Sequence, residues 1–264
     1  AIFEKNPIKR LVFSILKNIF YPYLVFVSTN VVVFEDELKN RLGNSRKISV
    51  IPHQVETVTV KDRNKSCKIL NLDPTQKYVV CFGFLAKYKG IDDLISSWNP
   101  SDTDMKLIIA GGRNPNHEGE EEYETFVEDI IKTAKEKGII YTGFIPEENI
   151  SDYFSVADLL MFPYKEFMSS SGPLSLSFSH GKPFLLSKPL EKYFSSTDMK
   201  EGLAHVNLTP EDMIFDYKDP TLDLNDKIME ILNNVEKYSM YSTYMASRRS
   251  LVNIAKAYEK IILE

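Results

Sequence analysis

Short apolar runs that stop at a glycine or proline and give way to helical segments restrict this chain most. They fall at 78–82, 106–110, 139–142, 159–162 and 183–187. Each is strand length and mainly apolar, 78–82 continuously so, without the alternation of a strand that has one face in water. Runs of that kind suit a parallel sheet covered on both faces. Between them lie segments with helical spacing, at 91–98, 118–137, 147–157 and 173–180. The order β-α-β-α at this pitch predicts an α/β fold, a Rossmann-like parallel sheet flanked by helices. Beyond 187 the pattern loosens until two helices, 225–238 and 244–263, close the chain.

The first fifty residues read differently. Ile8, Leu11, Val12, Ile15, Leu16, Ile19 and Phe20 recur at helical spacing behind Pro7, with Lys9, Arg10 and Lys17 on the outer face. Strands are expected at 24–27, 31–34 and 47–51, a short helix at 35–41, and a linker or irregular hairpin at 57–75. With 264 residues, 43% of them hydrophobic, the chain can bury one large domain together with a fragment of another.

Charge and cysteine content exclude several classes. A formal net charge of -5 leaves no surplus of cations for a phosphate backbone, so nucleic acid is not an expected partner. Cys67 and Cys81 have no metal-ligand spacing, and so few thiols point to a reducing compartment and a cytoplasmic setting. His53, His117, His180 and His205 share no spacing either, so no metal site is expected. The apolar stretch 11–27 is broken by Lys17, Asn18 and Pro22, which argues against a membrane span. The opening Ala1-Ile2-Phe3-Glu4 lacks the succession of a signal peptide and reads as a cut or omitted start. The basic amphipathic segment 7–21 has two readings, packing on its own sheet or resting on an anionic membrane.

In open parallel sheets ligands bind beyond the carboxyl ends of the strands, so the residues after each run carry the functional information. After 78–82 comes Gly83-Phe84-Leu85-Ala86-Lys87-Tyr88-Lys89-Gly90, where glycines permit a close turn and Lys89 can reach a phosphate as a point charge. Gly111-Gly112 and Gly143-Phe144-Ile145-Pro146 follow the next two runs. Either is an ordinary turn by itself, or a place where a ribose or base edge meets backbone. The fourth loop runs from Pro163 through Glu166, Ser170, Ser171, Gly172 and Pro173 to Leu174. Its serines, glycine and early proline make a helix start whose amides and dipole favour an anion.

Taken in order, Ile51-Pro52-His53, Gly83 to Gly90, Leu107 to Gly112, Gly143 to Pro146, Ala157-Asp158 and Pro163 to Ser187 resemble glycosyltransferase family four, of GT-B architecture. The resemblance is strongest from Tyr164 to Ser187. It implies a donor domain at 51–243 that binds a nucleoside diphosphate sugar, a UDP-sugar or GDP-sugar, without a metal or other cofactor. It further implies the end of an acceptor-side domain at 1–50 and a crossover helix at 244–264.

By the same resemblance Lys89 and Glu166 are the catalytic candidates. Gly83, Phe84, Lys87, Lys89, Gly112, Gly143, Phe144, Ile145, Ser170, Ser171, Gly172, Pro173 and Leu174 are the donor-binding candidates. The implied reaction moves a sugar to a glycan or lipid-linked glycan with retention of anomeric configuration. Departures stand beside it: Phe84 occupies a place where many relatives have arginine, and the Glu-x7-Glu pair falls on Met168 and Leu176. A nucleotide-binding subunit without catalysis, and a sugar-nucleotide epimerase, are the alternatives left open.

Overall fold

The computed structural model describes residues 7–99, 104–219 and 223–263; the side chains of Lys9, Arg10 and Lys17, and with them the basic face expected on the first helix, lie outside the described residues. The chain divides into two compact units, Gln54–Leu251 and a smaller one made of Ala1–His53 with Val252–Glu264.

In the smaller unit, helix Pro7–Ile15 continues through a π-turn at Leu16–Phe20 into helix Tyr21–Val27. The strand expected at 24–27 is therefore helical, because Tyr21 and Pro22 lengthen the preceding helix rather than ending it. Proline is tolerated there, with Pro22 in the first turn after the π-turn. Strand β1, Val31–Val33, pairs in parallel with β2, Ile48–Val50, and helix Asp36–Arg41 connects them. Val25, Val33 and Ile48 form the buried centre of this unit. None of the described helices is long and apolar enough to cross a membrane.

The larger unit holds a six-stranded parallel sheet of β3 (Lys77–Phe82), β4 (Met105–Ala110), β5 (Ile140–Tyr141), β6 (Leu159–Phe162), β7 (Phe184–Ser187) and β8 (Ile214–Phe215), in the order β5-β4-β3-β6-β7-β8. Its middle strands are apolar because helices shield both faces: Val79, Val80, Ile108, Leu159, Leu160 and Leu185 are fully buried. Helices Ile91–Ser97, Glu121–Glu136, Glu147–Val156 and Gly172–Ser179 fill the connections as the spacing anticipates. From β3 the chain winds outward to β4 and β5, then returns to place β6 on the other side of β3. That reversal opens a crevice at the carboxyl ends of β3 and β6, the usual ligand position in such sheets.

Three local expectations change. The segment 57–75 contains helix Arg63–Ile69, capped by Asp62, whose side chain accepts from the amide of Lys65. Arg63 fastens it to the sheet by pairing with Asp158 at 3.0 Å. The helix expected at 225–238 ends at Asn233, and Val235–Arg248 forms a separate helix that buries Tyr238 and Tyr241. The final helix begins at Leu251 rather than 244. Strand β8 escaped notice because Ile214-Phe215 is too short for any periodicity to register.

Candidate functional site

The sheet's reversal brings two loops together, and glycine makes the approach close. Gly90, at φ +65°, ends the short turn Lys87–Lys89, and a side chain placed on it would run into the carbonyl oxygen of Pro163. The amide of Lys165 donates to Tyr88 O at 2.8 Å. The rings of Tyr88 and Tyr164 meet edge to face at 5.7 Å. Outside them, Lys165 Nζ lies 2.7 Å from Asp92 and 3.1 Å from Asp93.

Lys89 is thereby turned inward. It is buried at 6% exposure, and its ammonium occupies the space a side chain on Gly83 would need; Pro173 borders the same point, its Cγ 3.7 Å from that position. Gly83 can leave this room because it adopts φ +116°, a conformation that disfavours residues with a Cβ. No carboxylate pairs with Lys89 among the described residues. Burial holds its pKa below the usual lysine value, with the nearby Cys81 thiol acting weakly in the other direction. The Cys81 thiol is itself pushed up to about 12 by burial, so it stays protonated and unreactive.

Pro173 belongs to the helix start opposite. Ser171 caps helix Gly172–Ser179, its Oγ accepting from the amide of Leu174 at 3.3 Å. Proline has no N–H, so within this first turn the Gly172 amide is the donor left without a partner among the described residues. The preceding loop is held in shape from behind. Ser187 Oγ donates to Tyr164 O at 2.6 Å, Tyr193 OH donates to Met168 O, and Ser170 takes the left-handed conformation at φ +58°.

A cavity of about 500 Å³ opens between these loops, lined by Phe82, Gly83, Phe84, Lys89, Ala110, Gly111, Gly112, Phe144, Ile145, Glu147, Ile150 and Pro173. Its walls are stitched by backbone bonds: Gly83 N to Ala110 O and Leu85 N to Gly112 O, both at 2.9 Å. Of the residues expected to bind, Gly83, Phe84, Lys89, Gly112, Phe144, Ile145 and Pro173 line it together. Gly143 forms the adjoining turn at φ +70° with open space about it, and Ser170 and Ser171 shape the helix entrance.

Leu174 is buried as packing beneath that entrance. Lys87 points elsewhere, pairing with Glu122 at 2.6 Å on the surface. Glu166 is not among the lining residues; its charge is felt instead by the Tyr88 hydroxyl. Gly111, read with Gly112 as a turn that could meet a ligand, lines the cavity too, and Glu147 and Ile150 line it without having been expected, although Glu147 directly follows the loop Gly143–Pro146. No group of three or more His, Cys, Asp or Glu among the described residues is placed to hold a metal.

Chemically, the arrangement offers a desolvated ammonium in a mainly apolar cavity that is bordered by Pro173, the second residue of the helix start at Gly172. An anionic group attached to a planar or apolar body fits that pattern.

Comparison with known proteins agrees with this geometry. Residues 62–176 match the family model described as glycosyl transferases group 1. The lipopolysaccharide core biosynthesis mannosyltransferase LpsB of Rhizobium meliloti (strain 1021) is 30% identical over 123 residues, which are 44% of this chain and 34% of that protein. Among solved structures, a sucrose-phosphate synthase from Thermosynechococcus elongatus superposes with a TM-score of 0.63 at 17% identity, over 91% of this chain and 59% of the other. Anabaena HepE in complex with UDP gives 0.65 at 15% identity, over 89% and 64%. The chain thus spans about a third of the curated relative's length and less than two thirds of either solved chain. The parallel sheet, the loop order and these likenesses agree: residues 62–176 are similar to the glycosyl transferases group 1, and the chain shares the fold of the matched GT-B structures.

Proposed function

We propose that this chain is the donor-binding part of a glycosyltransferase that moves a sugar from a UDP-sugar or GDP-sugar to a glycan or lipid-linked glycan, with retention of anomeric configuration. The observation that carries the reading is Lys89, a buried ammonium without a carboxylate partner among the described residues, beside Gly83 and Pro173 at the sheet's reversal. In transfer, the bond from the sugar's anomeric carbon to the diphosphate oxygen breaks and the departing nucleoside diphosphate keeps the electron pair. Lys89 and the Gly172 amide stabilise that growing charge where water is scarce and electrostatic interactions are strong. The family and the UDP found in HepE support a nucleotide donor; the mannosyltransferase likeness supports a glycan acceptor.

The same proposal takes 1–50 as the end of an acceptor-side domain and 244–264 as a crossover helix. It keeps the helical segment at 7–21 as a peripheral contact with an anionic membrane. Flotation of the protein with vesicles, unchanged by Lys9→Glu, Arg10→Glu and Lys17→Glu together, would remove that last element.

Calorimetric titration with UDP and GDP tests the core of the reading. At least one should bind, and Lys89→Met should weaken it by about tenfold or more, the scale of a lost charge-assisted contact. Absence of binding, or binding indifferent to Lys89, would refute it. Met168 and Leu176, packed against the core instead of presenting carboxylates, favour a second reading: a subunit that binds nucleotide without transferring sugar. Binding without hydrolysis or transfer from any donor would select it.

A further inference from the structure

Helix Glu121–Glu136 contributes no lining residue to the cavity, yet its first turn is fastened to two of the loops that do. Three consecutive residues make the attachments. Glu122 receives Lys87 Nζ at 2.6 Å, from the loop after β3. Glu124 receives Arg113 Nε at 2.8 Å, from the loop after β4. Tyr123, between them, serves both loops: its hydroxyl donates to Leu85 O at 2.9 Å and accepts from the amide of Asn114 at 2.6 Å.

These attachments are unequal. Both ion pairs are partly exposed and therefore weakened by water and salt, whereas Tyr123 is buried at 5% exposure. Its hydroxyl meets a carbonyl on one side and an amide on the other, and phenylalanine in its place would leave both backbone groups without that partner. The weight of the anchor thus rests on Tyr123.

What the anchor holds is the stretch leading to Lys89. Leu85 is fully buried, its amide donates to Gly112 O at 2.9 Å, and its carbonyl is the one that Tyr123 takes. Lys87 is the first residue of the short turn that ends at Lys89. Leu85 and Lys87 flank Ala86, whose carbonyl accepts the amide of Lys89 at 2.9 Å. The turn that carries the buried ammonium is therefore fixed on both sides of its first hydrogen bond, by a helix that stands outside the cavity.

We propose that Tyr123 is a positioning residue for the donor site, holding the loops after β3 and β4 together so that Lys89 stays in the cavity. This rests on the donor-site reading above and adds a residue that acts on the site without touching its ligand.

Tyr123→Phe keeps the ring and removes only the hydroxyl. Titrated with UDP well below its melting temperature, it should bind about tenfold more weakly, the equivalent of roughly one hydrogen bond. Glu122→Gln and Glu124→Gln should each cost about twofold at most, as exposed ion pairs do. Ile130→Val, a buried change farther along the same helix, should lower the melting temperature and leave UDP affinity as it is. In a Lys89→Met background Tyr123→Phe should add little to the loss, because both changes act on the same contact. Without any ligand, hydrogen exchange at the Leu85 amide should quicken in Tyr123→Phe while Val80 and Ile108 stay protected. UDP affinity equal to wild type in Tyr123→Phe, or a loss just as large when Lys89 is already methionine, overturns the proposal. If wild-type protein binds no UDP, or Lys89→Met leaves its affinity unchanged, the donor-site reading fails and the positioning role falls with it.

Discussion

Lys165 holds Asp92 at 2.7 Å while its own amide donates to the carbonyl of Tyr88, so one residue of the loop after β6 grips the loop after β3 at two points. Between those points lies Lys89. Lys165 thus acts on the cavity through position and does not reach it. Because the ion pair is partly exposed, its direct contribution to stability is small, on the order of 0–1 kcal/mol. Lys165→Met should barely alter the melting temperature yet weaken UDP severalfold by loosening Lys89, as a calorimetric titration beside a thermal melt would record. A large fall in melting temperature with unchanged affinity would assign Lys165 to folding alone.

Glycines of the site separate into those excluded by space and those favoured by conformation. A Cβ on Gly112 meets the Phe144 backbone at 2.7 and 2.9 Å, whereas Gly143 has φ +70° and nothing within 4 Å. Gly112→Ala should therefore push Phe144 aside and reduce UDP binding by tenfold or more, about 1.4 kcal/mol. Gly143→Ala should lower stability by roughly 1 kcal/mol through backbone strain, and Gly143→Asn by less, since asparagine accepts the left-handed region. Urea unfolding and nucleotide titration on the three variants would check both halves.

Burial of Lys89 shapes the pH dependence of binding. Its pKa lies below 10.5, so the free protein loses this cation at a lower pH than an exposed lysine would. Bound diphosphate favours the protonated form, so affinity should fall as pH rises through that depressed value, by at most about tenfold per pH unit. Lys89→Arg should extend binding to higher pH, since guanidinium remains charged. Lys89→Met should abolish the alkaline limb. An identical limb in wild type and Lys89→Met would show that another group titrates.

Lys182 governs stability instead. It donates to Ser155 O at 2.9 Å and to Ala157 O at 3.0 Å, closing the end of helix Glu147–Val156, and burial lowers its pKa to about 8. Between about 8 and 10.5 the unfolded chain binds this proton and the folded chain does not, so stability should rise with pH in that window. The buried tyrosines act in the opposite sense above their ordinary value of 10.0, as Tyr164 illustrates. The comparison therefore belongs at about pH 8 to 9.5, where wild type should gain stability in urea unfolding relative to Lys182→Met. Parallel curves for the two proteins would place the lysine's titration outside this range.

Most strands of the larger sheet are legible in the sequence, because an apolar run buried on both faces is itself the record of a parallel sheet. Failures came where local signals conflict or are too brief. The apolar stretch at 24–27 has strand composition but continues a helix, and 57–75 conceals Arg63–Ile69 because its polar residues are busy with Asp152 and Asp158 rather than with solvent. Lys89 and the helix start at Gly172 could be singled out from residue type and position after a strand. Lys87 could not be separated from Lys89 in the same way, since only the paired contact with Glu122 shows which lysine turns outward.

The order of residues alone determined that this chain would build a layered α/β domain with glycine-containing turns at the ends of its strands. That information is local, written in apolar runs and turn residues a few positions apart. The convergence of Gly83, Lys89 and Pro173 at one point, and of Phe84 and Phe144 on one cavity, was decided by tertiary structure. Gly83 and Pro173 are 90 residues apart in the chain (173 − 83), and they meet because the sheet reverses its winding between β3 and β6. Strand order depends on which buried faces pack together, a property of the whole core that no single segment encodes.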